Sequence, residues 1–276
     1  MVTLVIEGGA SRAAYAFGAA LALQEAGFTP DAIYGTSAGG ACAAWYAAGQ
    51  MAQGVDTWDA ASDRSLWSYR RGLQGGPIID FRRLYGHYYP HVFGLDLDHL
   101  RAAPYPVFAT VTHAKNATTR YVDLRTAPDP LAVLHATSAL PLVSEAPVVL
   151  ADGEPYVDGG VTAPIPLARA IEDGHRDIIV LANRPAGPRR PEPEWMVRLV
   201  SRRFPELEEH LRAHHRYHDE GMALATRPPA GVRVRLVRPS RDTGVSRFTR
   251  DGVKLRRAAK LGHDEAMRIV MAAPLP

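Results

Sequence analysis

In Gly35-Thr36-Ser37-Ala38-Gly39 a serine has a glycine two residues to either side. It follows the apolar run Ala32-Ile33-Tyr34 and precedes Gly40 to Ala48, a stretch of good helix formers. A serine on a tight strand-to-helix turn is a nucleophile elbow. Such a turn leaves no room for side chains at its flanks, which is where Gly35 and Gly39 fall. The helix N-terminus behind it offers unpaired N–H groups and a positive dipole end where negative charge would develop. A neutral hydroxyl attacks poorly unless a base takes its proton. Asp158, in Tyr156-Val157-Asp158-Gly159-Gly160, is the candidate base, because the two glycines allow the backbone to fold tightly and bring the carboxylate to another loop. A third element, Gly8-Gly9-Ala10-Ser11-Arg12, could turn consecutive amides toward an oxyanion or a phosphate. Taken singly, the pentapeptide and Asp-Gly-Gly are ordinary turns. The dinucleotide reading of the first loop is disfavoured, because after Gly9 the next glycine is Gly18 and Gly-x-Gly-x-x-Gly is absent.

These residues need a scaffold. Val2 to Ile6 is continuously apolar, as expected of a central strand buried on both faces, and a helical pattern follows to Gly27. The elbow and its helix repeat that unit, so two strand-turn-helix units argue for a parallel sheet with helices on its faces. Between residues 51 and 105 the pattern loosens: a helix through Val55 and Trp58, a Gly- and aromatic-rich passage from Trp67 to Pro77, and a helix near Asp80 to Tyr88, suited to a lid or pocket wall. Pro106–Val111 and Thr119–Leu124 read as an antiparallel pair, and Asp129 to Leu140 as a helix ended by Pro141. Then come a buried strand at Ile178 to Leu181, helices broken at Pro205, an edge strand where Val232, Val234 and Leu236 alternate with arginines, and a final helix over about Arg250 to Met271. The expected fold is α/β: three layers, α/β/α, around a central, mostly parallel sheet. It is expected to form one domain over 1–276, with a motif-bearing core at 1–185 and a helical and strand region at 186–276.

The composition narrows the function. Cys42 is the lone cysteine among 276 residues, so no internal disulfide framework exists, and its small-residue helix suggests packing. The first residues lack the basic and apolar regions of a signal peptide, and no window approaches a membrane span, so a cytoplasmic location is expected. Asn116-Ala117-Thr118 is then read as a loop. Net charge is only +3, but arginine becomes frequent from Arg184 onward, with pairs at Arg189-Arg190, Arg202-Arg203 and Arg256-Arg257. These are interleaved with apolar helix positions and read as a solvated face, against nucleic-acid binding. His210, His214 and His218 recur along one helix face, but a spread of two turns cannot easily converge on one metal ion, and they read as polar helix surface. Asp96-Leu97-Asp98 lacks the glycine and glutamate of a calcium loop. No metal and no cofactor are expected.

A Ser-His-Asp hydrolase is the competing reading. Its elbow normally follows several strands, whereas here 34 residues precede Gly35. Its histidine should follow the acid after a late strand. His175 instead precedes a buried strand, and His263 lies inside the last helix. The ordered set Gly8-Gly9-Ala10-Ser11-Arg12-Ala13, Gly35-Thr36-Ser37-Ala38-Gly39 and Asp158-Gly159-Gly160 resembles the patatin-like phospholipases. Thr137-Ser138-Ala139-Leu140-Pro141 is similar to the family's segment ahead of its aspartate. Phe204-Pro205, His215-Arg216-Tyr217 and Leu261 to Ala266 are similar to C-terminal parts of bacterial members.

The resemblance implies a catalytic serine–aspartate dyad without histidine, Ser37 attacking a lipid ester and Asp158 taking its proton. It implies an oxyanion hole in the Gly8, Gly9, Ala10, Arg12 loop, with the Gly9 and Ala10 amides as donors. It also implies a lipid or ester substrate, with peripheral contact at a membrane surface. Ala10 and Ala13 depart from family glycines. Alanine keeps the N–H but is strained wherever φ is positive. That departure motivates the alternative, a lipid-binding or regulatory protein of the same fold with weak or no hydrolysis. Arg12 matches the family's basic residue, as a brace for the loop or a partner for phosphate.

Overall fold

The structure is a computed structural model. It describes residues 2–74, 76–187 and 191–272, the last three as backbone only. Arg189-Arg190 therefore lies outside the described residues. The strands are β1 (Thr3–Ile6), β2 (Ile33–Thr36), β3 (Val107–His113), β4 (Thr119–Asp123), β5 (Val148–Val149), β6 (Pro155–Asp158), β7 (Asp177–Leu181) and β8 (Arg233–Val237). The helices are α1 (Ala14–Glu25), α2 (Ala38–Ala47), α3 (Met51–Asp56), α4 (Tyr69–Leu73), α5 (Phe81–Arg83), α6 (Leu97–Ala102), α7 (Pro130–Thr137), α8 (Leu167–Glu172), α9 (Glu194–Ser201), α10 (Glu208–Thr226) and α11 (Gly252–Ala272). The expected three-layer α/β/α fold is found.

β3, β2, β1, β7 and β8 pair in parallel, while β4 and β6 run antiparallel to β3 and β5 antiparallel to β6. β1 sits mid-sheet, and its alternation explains why every residue in it is apolar or small. Leu4 and Ile6 pack with α1 and α2, while Val5 packs with Leu167 and Ala170 of α8 and Ala225 of α10. A smaller cluster ties Val197 and Val200 of α9, Phe204 and Leu211 to Val157 of β6.

The register of β3 is what assembles the site. β2 occupies one edge of β3 at residues 107–110 and β4 the other at 108–112, so β6, which pairs with residues 111–113, must continue β2's edge. Thr36 is paired with Thr110 and Asp158 with Val111, the next residue along. The ends of β2 and β6 therefore meet head to head, and Ser37 and Asp158 meet with them.

Several boundaries differ from expectation. The helix after Asp129 stops at Thr137, because Ser138 begins a turn and its amide bonds His135 O. The helix through Val55 tightens to 3₁₀ geometry over Thr57–Ser62, and Leu84–Val92 is π-helical with Pro90 inside it. Asp96 is the N-cap of α6, its carboxylate accepting from the amides of Asp98 and His99. Asn116 shapes the turn between β3 and β4 by accepting from the Thr118 amide.

Candidate active site

Ser37 stands between β2 and α2 with φ +54° and ψ −126°, a conformation costly for a residue with a β-carbon and held by the packing around it. That packing depends on the two flanking glycines. A β-carbon on Gly35 would lie 2.3 Å from the Gly39 carbonyl oxygen, and one on Gly39 would lie 2.5 Å from that of Ile6. The Ser37 amide donates to Thr137 Oγ1 at 2.9 Å, and Thr137 donates in turn to the Thr110 carbonyl, which ties the elbow to β3. Ser37 Oγ donates to Asp158 Oδ2 at 2.7 Å. The second oxygen of Asp158 accepts from the Gly160 amide at 2.7 Å, which fixes the carboxylate against rotation.

Asp158 is buried. Desolvation raises its pKa from the ordinary carboxylate value to about 6, opposed by the hydrogen bonds from Ser37 and Gly160 and by the charge of Arg247. Among the described residues no histidine bonds either group. His175 packs its ring on Tyr34, and His263 Nε2 meets Glu25 Oε2 at 2.7 Å. Cys42 is buried and free, and burial pushes its thiol pKa far up, as suits a packing role.

The four positions of the first loop divide. The Gly8 amide bonds the Pro164 carbonyl at 3.0 Å and the Arg12 amide bonds the Gly9 carbonyl at 3.2 Å, so neither is available to a ligand. The amides of Gly9 and Ala10 have no acceptor among the described residues. Ala10 carries φ +48°, the conformation its family glycine would relax, whereas Ala13 sits at φ −64° without strain. The Ser11 amide is pinned by the Arg247 carbonyl at 3.2 Å, from a segment far along the chain. Around the Arg12 guanidinium, burial and the like charges of Arg184 and Arg247 lower its pKa, with Glu7 and Glu192 opposing. Arg184 and Arg247 thus belong to the site, and the solvated-face reading holds for Arg202, Arg203, Arg256 and Arg257.

The histidine row is also corrected. His218 is buried and its Nε2 lies 3.0 Å from Glu7 Oε1, while His214 Nδ1 lies 3.5 Å from Glu192, so this face of α10 points inward. It is not polar helix surface. Glu7, buried at the end of β1, also accepts from the Asn183 amide at 2.6 Å, and Asn183 Nδ2 donates back to the Glu7 carbonyl. Burial raises the pKa of Glu192, but hydrogen bonds from His214 and Arg247 outweigh it and hold that carboxyl well below the usual range. Among the described residues no cluster is arranged to hold a metal ion.

From Ser37 a cavity of about 740 Å³, its open mouth included, runs between the N-terminal parts of α1 and α2 and the 51–105 region, with Phe17, Trp58, Leu66, Trp67, Tyr85 and Leu140 in its wall. An apolar wall with one reactive polar end is the character of a small-molecule site. Ala10 and Ala38 line it beside Ser37. The Ala38 amide also lacks an acceptor among the described residues. Its place directly after the elbow serine was the signal that could have marked it. Thr137, Asn183 and Arg247 also went unassigned, since their partners are distant in the chain.

A family model for patatin-like phospholipase matches residues 4–171. Among solved structures, the crystal structure of VipD from Legionella pneumophila is similar with a TM-score of 0.45 and 12% identity, over 98% of this chain and 66% of that one. The present chain therefore spans slightly less than two thirds of that neighbour's length. No curated protein matches the sequence.

Proposed function

The chain belongs to the patatin-like phospholipase family, whose general activity is hydrolysis of lipid acyl esters, and from that premise we propose a serine acyl hydrolase working through a Ser37–Asp158 dyad. The observation that carries this reading is the 2.7 Å hydrogen bond from Ser37 Oγ to a buried carboxylate that is basic for its type. Ser37 Oγ attacks the ester carbonyl while its proton passes to Asp158. The carbonyl oxygen becomes an oxyanion facing the amides of Gly9, Ala10 and Ala38. Removing one such donor in comparable sites costs about 10²–10³ in rate. Collapse breaks the acyl C–O bond, and the leaving alcohol takes the proton from the carboxylic acid form of Asp158. Water then attacks the acyl-serine, giving its proton to Asp158, and the acid departs as the proton returns to Ser37. The acyl chain lies in the apolar cavity and the head group at its mouth. A cytoplasmic location with peripheral membrane contact fits a chain in which no described helix is long and apolar enough to cross a bilayer.

A serine-directed fluorophosphonate is expected to label Ser37, and Ser37→Ala and Asp158→Asn are each expected to abolish hydrolysis of p-nitrophenyl esters. An unlabelled Ser37 in folded protein would overturn the assignment. The strained φ of Ala10 favours one second reading, a lipid-binding protein with negligible turnover. It requires lipid binding by a protein in which Ser37→Ala changes nothing.

A further inference from the structure

Residues 65–74 and 76–80 fold back against one another around one arginine. Arg71 donates through Nε to the Pro77 carbonyl at 2.6 Å, through Nη1 to Ser65 at 3.1 Å and through Nη2 to Leu66 at 2.9 Å, with the Asp80 carboxylate 3.7 Å away. Ser68 caps α4 by accepting from the Arg71 amide, its own amide bonds Ile78, and the Asp80 amide bonds Leu66. The result is a tab closed at its base, where Trp67 bridges Ile79. Leu66, Trp67 and Ile79, all at that base, line the cavity.

The tip has the opposite character. Tyr69 is 60% exposed and Leu73 is 91% exposed, one helical turn apart and so on the same side of α4. Single exposed apolar residues are ordinary, but this pair is set where cations outnumber carboxylates. From Asp63 to Arg83 the chain holds five arginines against two carboxylates: Asp63, held by a hydrogen bond from Tyr88 and attracted by Arg83, and Asp80. Arg71 is folded inside the tab and Arg82 pairs with Glu145 at 2.8 Å. Arg64, Arg70 and Arg83 are exposed, with no described carboxylate within ion-pair distance. At the base of the tab the ring of Phe248, itself 39% exposed, meets Trp67 at 6.3 Å, and Arg250 lies over Trp67 at 5.8 Å.

We propose that this tab, with Tyr69, Leu73 and Arg70 at its tip and Arg64 and Arg83 flanking its base, docks the protein on an anionic lipid bilayer. Apolar and aromatic side chains flanked by arginine match the boundary between acyl chains and anionic head groups, and the positive excess supplies the charge complementarity. Docking there anchors the segment whose base forms part of the cavity wall. The surface assignment rests on exposure and charge; that a membrane lipid enters the cavity rests on the acyl-hydrolase reading above.

The test uses the full chain carrying Ser37→Ala, so that lipids stay intact, in co-sedimentation with phosphatidylcholine vesicles with and without phosphatidylglycerol. Binding is expected to the anionic vesicles and to fall roughly tenfold with Tyr69→Ser/Leu73→Asp, and again with Arg64→Glu/Arg70→Glu, as two-signal attachment predicts. The same changes in the otherwise native chain leave hydrolysis of the soluble p-nitrophenyl butyrate unchanged, which also reports an intact fold. No partition of the parent onto anionic vesicles, or equal partition of parent and variants, overturns the proposal. Capture by polyglutamate that depends on the tip, with vesicle binding that does not, assigns the face to an acidic protein and overturns it too. Absence of ester hydrolysis in the native chain defeats the functional reading alone, since the vesicle assay needs no turnover.

Discussion

A carboxylate buried beside a serine hydroxyl is an unusual base, because only its ionised form can accept the proton and burial disfavours that form. With the Asp158 pKa raised to about 6, kcat/KM for a p-nitrophenyl ester is expected to rise about tenfold per pH unit below 6 and level off above it. A limb centred near 4 would contradict the desolvated setting. The stability effect has the opposite sign. Between the unfolded value of 3.8 and about 6 the folded chain binds the extra proton, so the stability owed to this group falls as pH rises through that window. Above it the ionised group costs of order 3 kcal/mol, and Asp158→Asn is expected to raise the melting temperature at pH 8 by several degrees while removing activity. Ala10 is a separate source of strain, with φ +48°. Ala10→Gly is expected to stabilise the fold by about 1 kcal/mol in denaturant melts, without loss of turnover.

Helix packing sets how closely these residues can be held. α1, which follows the amide-bearing loop, lies against α11 so tightly that a β-carbon on Gly18 would fall 1.8 Å from the Ala259 carbonyl oxygen, and one on Gly262 would fall 2.0 Å from that of Tyr15. Tyr15 is hydrogen-bonded across the same contact to Glu265 at 2.7 Å. Since backbone cannot yield as a side chain can, Gly262→Ala is expected to cost about 3 kcal/mol, measured as a lowered urea midpoint. At this scale the sequence was largely readable. The apolar run at β1, the elbow between β2 and α2, the antiparallel β3–β4 pair and the alternating β8 were each declared by local pattern. The two-residue β5, the π-helix at Leu84–Val92 and the end of α7 at Thr137 were not. Their geometry answers to neighbours remote in sequence, since Tyr85 reaches Ser138 and Ile79 reaches Val143.

At the scale of the whole molecule, the family match ends at residue 171, but the support of the site does not. Ser37, Asp158 and the first loop were legible because each is a short motif. The groups that hold the loop were hidden because their partners lie 176 and 211 residues away: Asn183 and His218 both meet Glu7. Asn183 Nδ2 stands 3.1 Å from where a Gly9 β-carbon would be, so the chain from α10 through Glu7 ends against the backbone that bears the free amides. His218→Leu is therefore expected to lower kcat about tenfold with KM little changed, and to slow fluorophosphonate labelling in parallel. His218→Gln, whose amide can still donate to Glu7, is expected to restore most of the rate.

The open end of the sheet at β8 bears on behaviour in concentrated solution. Unpaired strand edges invite a second chain to add on, and long apolar edges do so most readily. Here the outer strand reads Arg-Val-Arg-Leu-Val, with Arg233 exposed and anchored to Asp177 at 2.7 Å; at the other margin β4 reads Thr-Arg-Tyr-Val-Asp, with Arg120 paired to Asp152, and β5, which ends the branch through β6, is two residues long. Neither end offers a flat apolar template. A protein that exposes Tyr69, Leu73 and Phe248 is thus guarded, at its sheet margins, against edge-to-edge self-stacking.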